Sequence, residues 1–286
     1  MCENRGDKNG MAILNTNIGI VYSAINKHKK ALPHYEKGYE LSHGLGNKQM
    51  EAIAIGCLGN IYQQRGNYAK ALELYTIDLK LCKELGDKRG IAIVNGMMGE
   101  LLIATGEFTD AKVYIEEQLS VSIELKYQKG ITKAYISLGQ VHFYESNFYL
   151  AKNSFSKCIE LADKIKYFPS KEEASLWQID INLKKNEIEK AMKELAFLFE
   201  HEELKNKLGL SLRQARAWIV EGKINEAIGT FENIIKESTN NQLTADAYWY
   251  LSKVKPSFKQ VAMDEIKSLY NKTPHYSIKV RMHELV

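Results

Sequence analysis

Side chains capable of catalysis or metal binding are present, but they lie far apart in the sequence. None of the seven histidines belongs to an HExxH motif or stands beside a cysteine at a zinc-like spacing. The four cysteines form no CxxC motif, which favours buried thiols over disulfides or a metal site. Adjacent acids such as Glu116 and Glu117 point in different directions on a helix, so they form no acid–base pair. We therefore expect neither an enzyme nor a bound cofactor.

A repeat of 40 residues organises most of the chain. Glycine recurs at this interval, and so does alanine, in two series that keep a constant offset: Gly19, Gly59, Gly99 and Gly139, then Ala31, Ala71, Ala111, Ala151 and Ala191. Apolar residues recur three and four positions apart around both series, which is typical of amphipathic helices. Pairs such as Gly66-Asn67 predict a short reversal between the two helices of each repeat.

The small residues of the repeat predict close contacts between helices. A glycine inside a helix costs about 1 kcal/mol relative to alanine. Its return at the same place in four repeats therefore indicates that a neighbouring helix needs the space. A large residue follows each alanine by four positions, as Tyr75 follows Ala71. We expect the glycine and the alanine to lie where the paired helices touch.

The second repeat carries the most complete pattern, formed by Leu58, Gly59, Tyr62, Gly66, Asn67, Tyr68, Ala71 and Tyr75. This pattern resembles the tetratricopeptide repeat. The period of 40 residues is longer than the usual length of about 34. It is similar to the long repeats of spindle-orientation adaptors and of bacterial tetratricopeptide regulators. The resemblance implies an all-α fold, a right-handed superhelix (α-solenoid) of about six to seven antiparallel helix pairs.

We expect a single solenoid over residues 1–286, with a shorter period toward the carboxyl end. The expected units are 8–46, 48–86, 88–126, 128–166, 171–205, 208–238 and 242–271, followed by a terminal helix at 276–286. Because exposed apolar ends are unfavourable in solenoids, assembly into a homo-oligomer through an uncapped amino-terminal end is compatible with this arrangement.

The resemblance implies that the first helix of each pair lines a concave groove for a partner. Counting from the repeated glycine, the expected groove residues are Asn60, Gln63, Gln64, Glu100, Ile103, Ile136, Gln140, Phe143 and Tyr144. Amides can bond to the backbone of an extended peptide, and aromatic rings can anchor an apolar side chain. Groove positions of the first three units lack basic residues, and Glu100 would repel a carboxylate, which disfavours binding of chaperone tails.

The sequence therefore predicts a non-catalytic scaffold that binds a peptide or protein partner in the groove. Two alternatives stay open. One is a regulatory or sensory segment that controls a kinase, cyclase or transcription activator; the other is a helical repeat that binds nucleic acid. The second rests on seven Lys or Arg residues against two acids between Lys253 and His283. The net charge of +4 is too small to argue for nucleic acid by itself, so this alternative ranks below the other.

We also expect a cytoplasmic chain with no membrane segment. The first residues are polar, and no apolar run approaches the roughly 20 residues that a membrane helix needs.

Overall fold

A computed structural model describes residues 7–25, 27–200 and 207–285, and these ranges contain helices and turns but no strand. Cys2 and His201 lie outside the described residues. The helices are α1 (Lys8–Ala24), α2 (His28–Gly44), α3 (Lys48–Gln64), α4 (Tyr68–Leu85), α5 (Lys88–Thr105), α6 (Phe108–Glu124), α7 (Gln128–Tyr144), α8 (Phe148–Lys164), α9 (Phe168–Lys184), α10 (Ile188–Phe199), α11 (Lys207–Val220), α12 (Ile224–Glu237), α13 (Asn241–Val254), α14 (Lys259–Lys272) and α15 (Tyr276–His283).

The helix positions confirm the repeat and the predicted fold class. The first helices of the first five repeats begin every 40 residues, at Lys8, Lys48, Lys88, Gln128 and Phe168. Consecutive helices form antiparallel pairs, so that α1 to α14 make seven pairs within the described part of the chain, and α15 follows them.

Most turns between helices use one residue in the left-handed region. Such residues recur every 20 positions: Gly46, Gly66, Gly86, Gly106, Lys126, Ser146, Lys166 and Asn186. At Gly66, φ is +76°, a conformation that glycine adopts without the clash that a Cβ atom causes. The next residue then begins the following helix, since Oδ1 of Asn67 accepts a hydrogen bond from the Lys70 amide at 3.2 Å. One residue therefore ends a helix, and its neighbour caps the next one.

The glycine contacts confirm the packing that the repeat predicts. A Cβ atom placed on Gly59 would lie 2.5 Å from a ring carbon of Tyr75, closer than real Cβ atoms come to other atoms. The equivalent pairs are equally close: Gly19 with Tyr35, Gly99 with Ile115, and Gly139 with Phe155. The repeated alanines are fully buried. In the fifth pair, Ile179 stands in place of glycine, and its counterpart is Leu195 rather than an aromatic residue.

The helices fall into two compact groups. The first contains residues up to 102 together with 109–130, and the second contains 103–108 and the residues from 131 onward. In the first group, the core combines Tyr35, Leu58, Ile61, Leu74 and Tyr75. The single solenoid expected over residues 1–286 stays a prediction.

The second group carries a row of neighbouring first helices. In this row α11 packs beside α9 and α13, and α15 packs beside α13. The second helices α10, α12 and α14 pack against the row, and a short 3₁₀ turn at Pro256–Phe258 joins α13 to α14. Ile278 and Leu285 are buried against Ala262 and Ile266. α15 therefore takes the place of a first helix that follows the seventh pair.

A helix can span a bilayer only if it is both long and apolar. Over the described ranges, none of the helices is both long enough and apolar enough to span a membrane.

Candidate functional site

A cavity of about 360 Å³ lies along the row of first helices in the second group. Its walls come from α7, α8, α9, α11, α13 and α15, with further residues from the turns beside them. We call it the arginine cavity. Its charged lining consists of Asp180, Lys184, Arg213, Arg216, Asp246, Arg281 and Glu284. Its volume falls in the range typical of ligand pockets, about 300–1,000 Å³.

One wall of the arginine cavity is aromatic, formed by Phe143, Tyr144, Phe148, Trp177 and Tyr276. The rings of Phe143 and Trp177 meet edge to face with their centroids 5.1 Å apart, and those of Tyr144 and Tyr276 do so at 5.5 Å. Such contacts are favourable and fix the orientation of each ring. Burial raises the pKa of Tyr144 well above its ordinary value, so its hydroxyl remains a hydrogen-bond donor at neutral pH.

Two arginines share one carboxylate on the other side of the cavity. Arg213 and Arg216 each donate to a different oxygen of Asp180, and all three side chains are largely buried. Arg213 also donates to the backbone oxygens of Leu176 (3.1 Å) and Gly209 (3.0 Å), which hold its guanidinium in place. Over the described residues, no acceptor pairs with Nε or Nη2 of Arg216. This arginine therefore keeps donors to offer.

A third arginine is paired with acids near the carboxyl end. Arg281 Nε donates to Asp246 at 2.6 Å, and Arg281 Nη1 donates to Glu284 at 2.9 Å. Its guanidinium lies 4.4 Å from the ring centroid of Trp249, a cation–π distance. Burial opposes the charged form of Arg281, but the adjacent Asp246 carboxylate raises its pKa above the ordinary value. This arginine joins α15 to α13.

The cavity carries a small positive excess. Four cationic side chains and three acidic ones line it, and Lys184 is an exposed cation among them. Lys184 has no ion-pair partner within the ranges that the structure covers. The neutral polar residues Asn240, Gln242 and Ser277 complete the lining and can donate or accept hydrogen bonds.

A second cavity, of about 420 Å³, adjoins the first. The two share Trp177, Arg213 and Gln242. The second adds Glu172 and Glu173, so its charged lining is acidic on balance. A ligand that extends through both cavities would therefore meet opposite charges along its length.

Some of the predicted groove residues in the second group line a cavity, and others are buried. Phe143 and Tyr144 line the arginine cavity, and Gln140 lines the adjoining cavity. Ile103 and Ile136 are 4% and 2% exposed. The expectation that these two side chains face a partner is wrong, because they pack between helices. Ile136 belongs to the same core as Phe155 and Cys158.

The remaining predicted residues, Asn60, Gln63, Gln64 and Glu100, lie in the first group, and neither cavity includes them. Gln64 Nε2 donates to Asn60 Oδ1 at 2.7 Å, and the Tyr75 hydroxyl donates to Gln63 Oε1 at 2.8 Å. Part of the hydrogen-bonding capacity of these amides is therefore used inside the chain, and their role in a groove stays a prediction.

The sequence contains a signal for some of the cavity residues that the prediction missed. Asp180 follows the predicted Gln140 by 40 residues, and Lys184 follows Tyr144 by the same interval. From the fifth to the sixth pair the interval shortens to 36, and this step leads from Asp180 to Arg216. Asp180 and Arg216 therefore occupy the same repeat position on neighbouring helices, which brings them together. Asp246 and Arg281 lie 35 residues apart, beyond the part of the chain in which the 40-residue interval holds.

The basic residues near the carboxyl end are partly engaged within the chain. Lys253 lies over the ring of Trp249 at 5.0 Å, and Lys255 is 3.5 Å from Glu232. Together with Arg281, these residues have partners of their own, which lowers their capacity to bind phosphate groups.

Similarity to known proteins agrees with this architecture. Two segments, residues 54–89 and 132–165, match the tetratricopeptide repeat family. No curated protein matches the chain at a significant level. Among solved structures, a tetratricopeptide repeat protein from Parabacteroides merdae is 17% identical, with a TM-score of 0.62, over 96% of this chain and 99% of that one.

Two Rap proteins have a more similar fold. The Rap conjugation gene regulator of the plasmid pLS20, solved with the Phr* peptide, gives a TM-score of 0.76 at 15% identity, over 95% of this chain and 78% of that one. A Rap protein complexed with Competence and Sporulation Factor gives 0.72 at 14% identity, over 96% and 77%. At these identities the likeness establishes the fold alone. The chain therefore contains tetratricopeptide repeats, matched over residues 54–89 and 132–165, in a fold that it shares with a solved tetratricopeptide repeat protein.

Proposed function

We propose that this chain is a non-catalytic scaffold that binds a peptide segment of a partner in the arginine cavity. The observation that carries the proposal is the combination of an aromatic wall with hydrogen-bonding side chains in one cavity of the second group. Aromatic rings offer a rigid surface for an apolar side chain, and the polar groups offer partners for a peptide backbone.

The class of protein supports this role. Tetratricopeptide repeats are in general non-catalytic scaffolds, and two structures with a similar fold were solved with bound partners, Phr* peptide and Competence and Sporulation Factor. A protein or peptide partner and a cytoplasmic location both belong to the proposal. Assembly through the amino-terminal end stays a prediction.

A cavity-filling substitution tests the proposal. Gln242 lines both cavities, so Gln242→Trp would place a large ring in the shared space. Peptides enriched from a random eight-residue display library on the unchanged protein should bind this variant at least about tenfold more weakly, a change that fluorescence anisotropy measures.

The matched control is Gln260→Trp, which places the same ring on an exposed position of α14. This variant should bind the selected peptides as the unchanged protein does. Failure to enrich any peptide, or equal binding by both variants, would contradict the proposal.

A second candidate is a regulatory role, in which the bound peptide changes the hold of the scaffold on an effector. It is favoured by the fold that the chain shares with the Rap conjugation gene regulator of pLS20. An effector captured from the native source should dissociate when a selected peptide is added. An effector that stays bound at saturating peptide would contradict the regulatory role and favour a scaffold without regulation.

A further inference from the structure

We infer that the peptide held by the arginine cavity carries a carboxylate next to an apolar side chain. This inference rests on the proposed function and specifies the chemistry of its ligand. The carboxylate belongs at Lys184 and Arg216, and the apolar side chain belongs against the aromatic wall.

The charge of the arginine cavity favours an anionic group in the ligand. Its four cationic side chains exceed its three acidic ones by one positive charge. Arg213 and Arg216 share the single carboxylate of Asp180, and the side chains of both arginines are almost completely buried. A buried charge without full compensation is costly. One carboxylate from a ligand would neutralise the excess.

Arg216 and Lys184 supply hydrogen-bond donors for such a group. Nη1 of Arg216 bonds to Asp180, whereas Nε and Nη2 have no acceptor among the residues described. The Lys184 ammonium has no ion-pair partner there either, and it lines the same cavity. Hydrogen bonds between such cations and a carboxylate are roughly twice as strong as those between neutral groups.

The charges of the two cavities favour a carboxylate over a phosphate. A phosphate with two negative charges would overcompensate the single positive excess. It would also meet Asp246 and Glu284 in the same cavity and Glu172 and Glu173 in the adjoining one. A single negative charge avoids this repulsion. The aromatic wall beside it, which includes Trp177, requires an apolar neighbour in the ligand rather than another charge.

Four pools of fluorescent heptapeptides test the inference, all with random apolar residues around a fixed centre. The first has glutamate at the centre and an amidated end; the second has glutamine and an amidated end. The third has glutamine and a free carboxyl end, and the fourth has phosphoserine and an amidated end. We expect the first or the third pool to bind at least about tenfold more tightly than the second and the fourth.

The winning pool tells whether the carboxylate comes from a side chain or from the chain end, and either result supports the inference. Equal binding of the glutamate and glutamine pools would overturn it and leave the proposed function intact. Tighter binding of the phosphoserine pool would overturn it in favour of a doubly charged ligand. Absence of binding by all four pools would overturn the proposed function as well.

Adjacent lysines provide a matched pair of variants. Lys184 lines the cavity, whereas its exposed neighbour Lys185 does not. Lys184→Gln should reduce the preference for a carboxylate by about threefold or more, while Lys185→Gln should leave it unchanged. Equal losses in both variants would mean that only net charge matters and would overturn the assignment. Both positions are exposed, so neither change should prevent folding.

Discussion

The buried carboxylates of Asp180 and Asp78 differ in how their negative charge is compensated. Asp180 is paired with two arginines of the arginine cavity, Arg213 and Arg216. Asp78 is 5% exposed, and its Oδ1 accepts a hydrogen bond from the Cys82 thiol at 3.4 Å. Burial raises the pKa of Asp78 to about 7, although the Cys82 hydrogen bond opposes the shift. Asp78 therefore destabilises the first group whenever it is ionised.

We expect Asp78→Asn to stabilise the first group at alkaline pH. The folded-state pKa lies above the ordinary value of 3.8, so the contribution of the protonated carboxyl is complete below pH 3.8 and is lost as pH rises through about 7. Asparagine does not ionise, so the variant does not lose this stability as pH rises. At pH 8 the variant should gain stability on the order of a few kcal/mol, measured by urea unfolding. The next repeat already has an amide at this position, Gln118.

Glu36→Gln serves as the comparison, because Glu36 is exposed on α2. It should change the unfolding free energy little at any pH between 4 and 8. If Asp78→Asn showed the same pH dependence as the unchanged protein, another group would have to carry the effect.

Residue types at fixed intervals made part of this detail predictable. Gly59 and Ala71 could be placed at a helix contact because only small residues fit there, and four repeats preserve the pattern. Asp180 and Lys184 were predictable in principle from the same interval. Arg281 was not, because its partner Asp246 lies 35 residues away, outside the regular part of the repeat.

At the scale of elements, the alanines set the distance between paired helices. Ala71 is completely buried in α4, in a core with Tyr75. Ala71→Leu should overpack this contact and lower the unfolding free energy by about 1–3 kcal/mol. Thermal unfolding followed by circular dichroism measures the change.

Ala69→Leu provides the control, since Ala69 lies on the exposed face of the same helix. The melting temperature of this variant should stay near that of the unchanged protein. An equal and small effect of both substitutions would show that Ala71 does not set the helix distance.

Helices and turns were the most predictable elements, because hydrophobic spacing and glycine positions both act locally. The structure added that Lys126, Ser146, Lys166 and Asn186 adopt the left-handed conformation that glycine adopts in earlier turns. Asn186 belongs to a type that adopts this conformation readily, but the side chains of the other three give no local signal for it. The turn geometry is imposed by the helices on either side, which must reverse at the same place in every repeat.

At the scale of the whole molecule, the two groups should respond to pH in opposite directions. In the second group, Nδ1 of His275 accepts a hydrogen bond from the Ser277 amide and caps α15. Burial lowers the pKa of His275 to about 4, although Asp246 opposes the shift. A histidine with a lowered pKa contributes stability above its ordinary value of 6.5, and this contribution is lost as pH falls toward 4.

We therefore expect α15 to loosen at pH 5 while the first group becomes more stable than at pH 8. Hydrogen exchange, corrected for the intrinsic rate at each pH, should show reduced protection of Tyr276–His283 relative to α13. His275→Asn keeps a capping acceptor that does not titrate, so it should remove the difference. Loss of protection to the same extent in that variant would assign the effect to another residue.

The arrangement of cavity residues across the whole second group could not be predicted from local patterns. The arginine cavity draws on six helices whose intervals differ, and its charges become neighbours only after those helices pack. The family resemblance indicated first helices as the binding surface, but it gave no means of choosing among them.

Left-handed turn residues recur every 20 positions from Gly46 to Asn186. In this part of the chain, the length of each helix is therefore more constrained than its amino-acid composition. One extra residue inside a helix would rotate the rest of that helix by about 100°. A glycine that packs against a tyrosine would then face water instead. A substitution disturbs single contacts, whereas such an insertion misaligns all the contacts that the rest of the helix makes. Related chains should therefore differ in residue type at exposed positions more readily than in helix length, and should gain or lose residues as whole repeats or in the turns between helices.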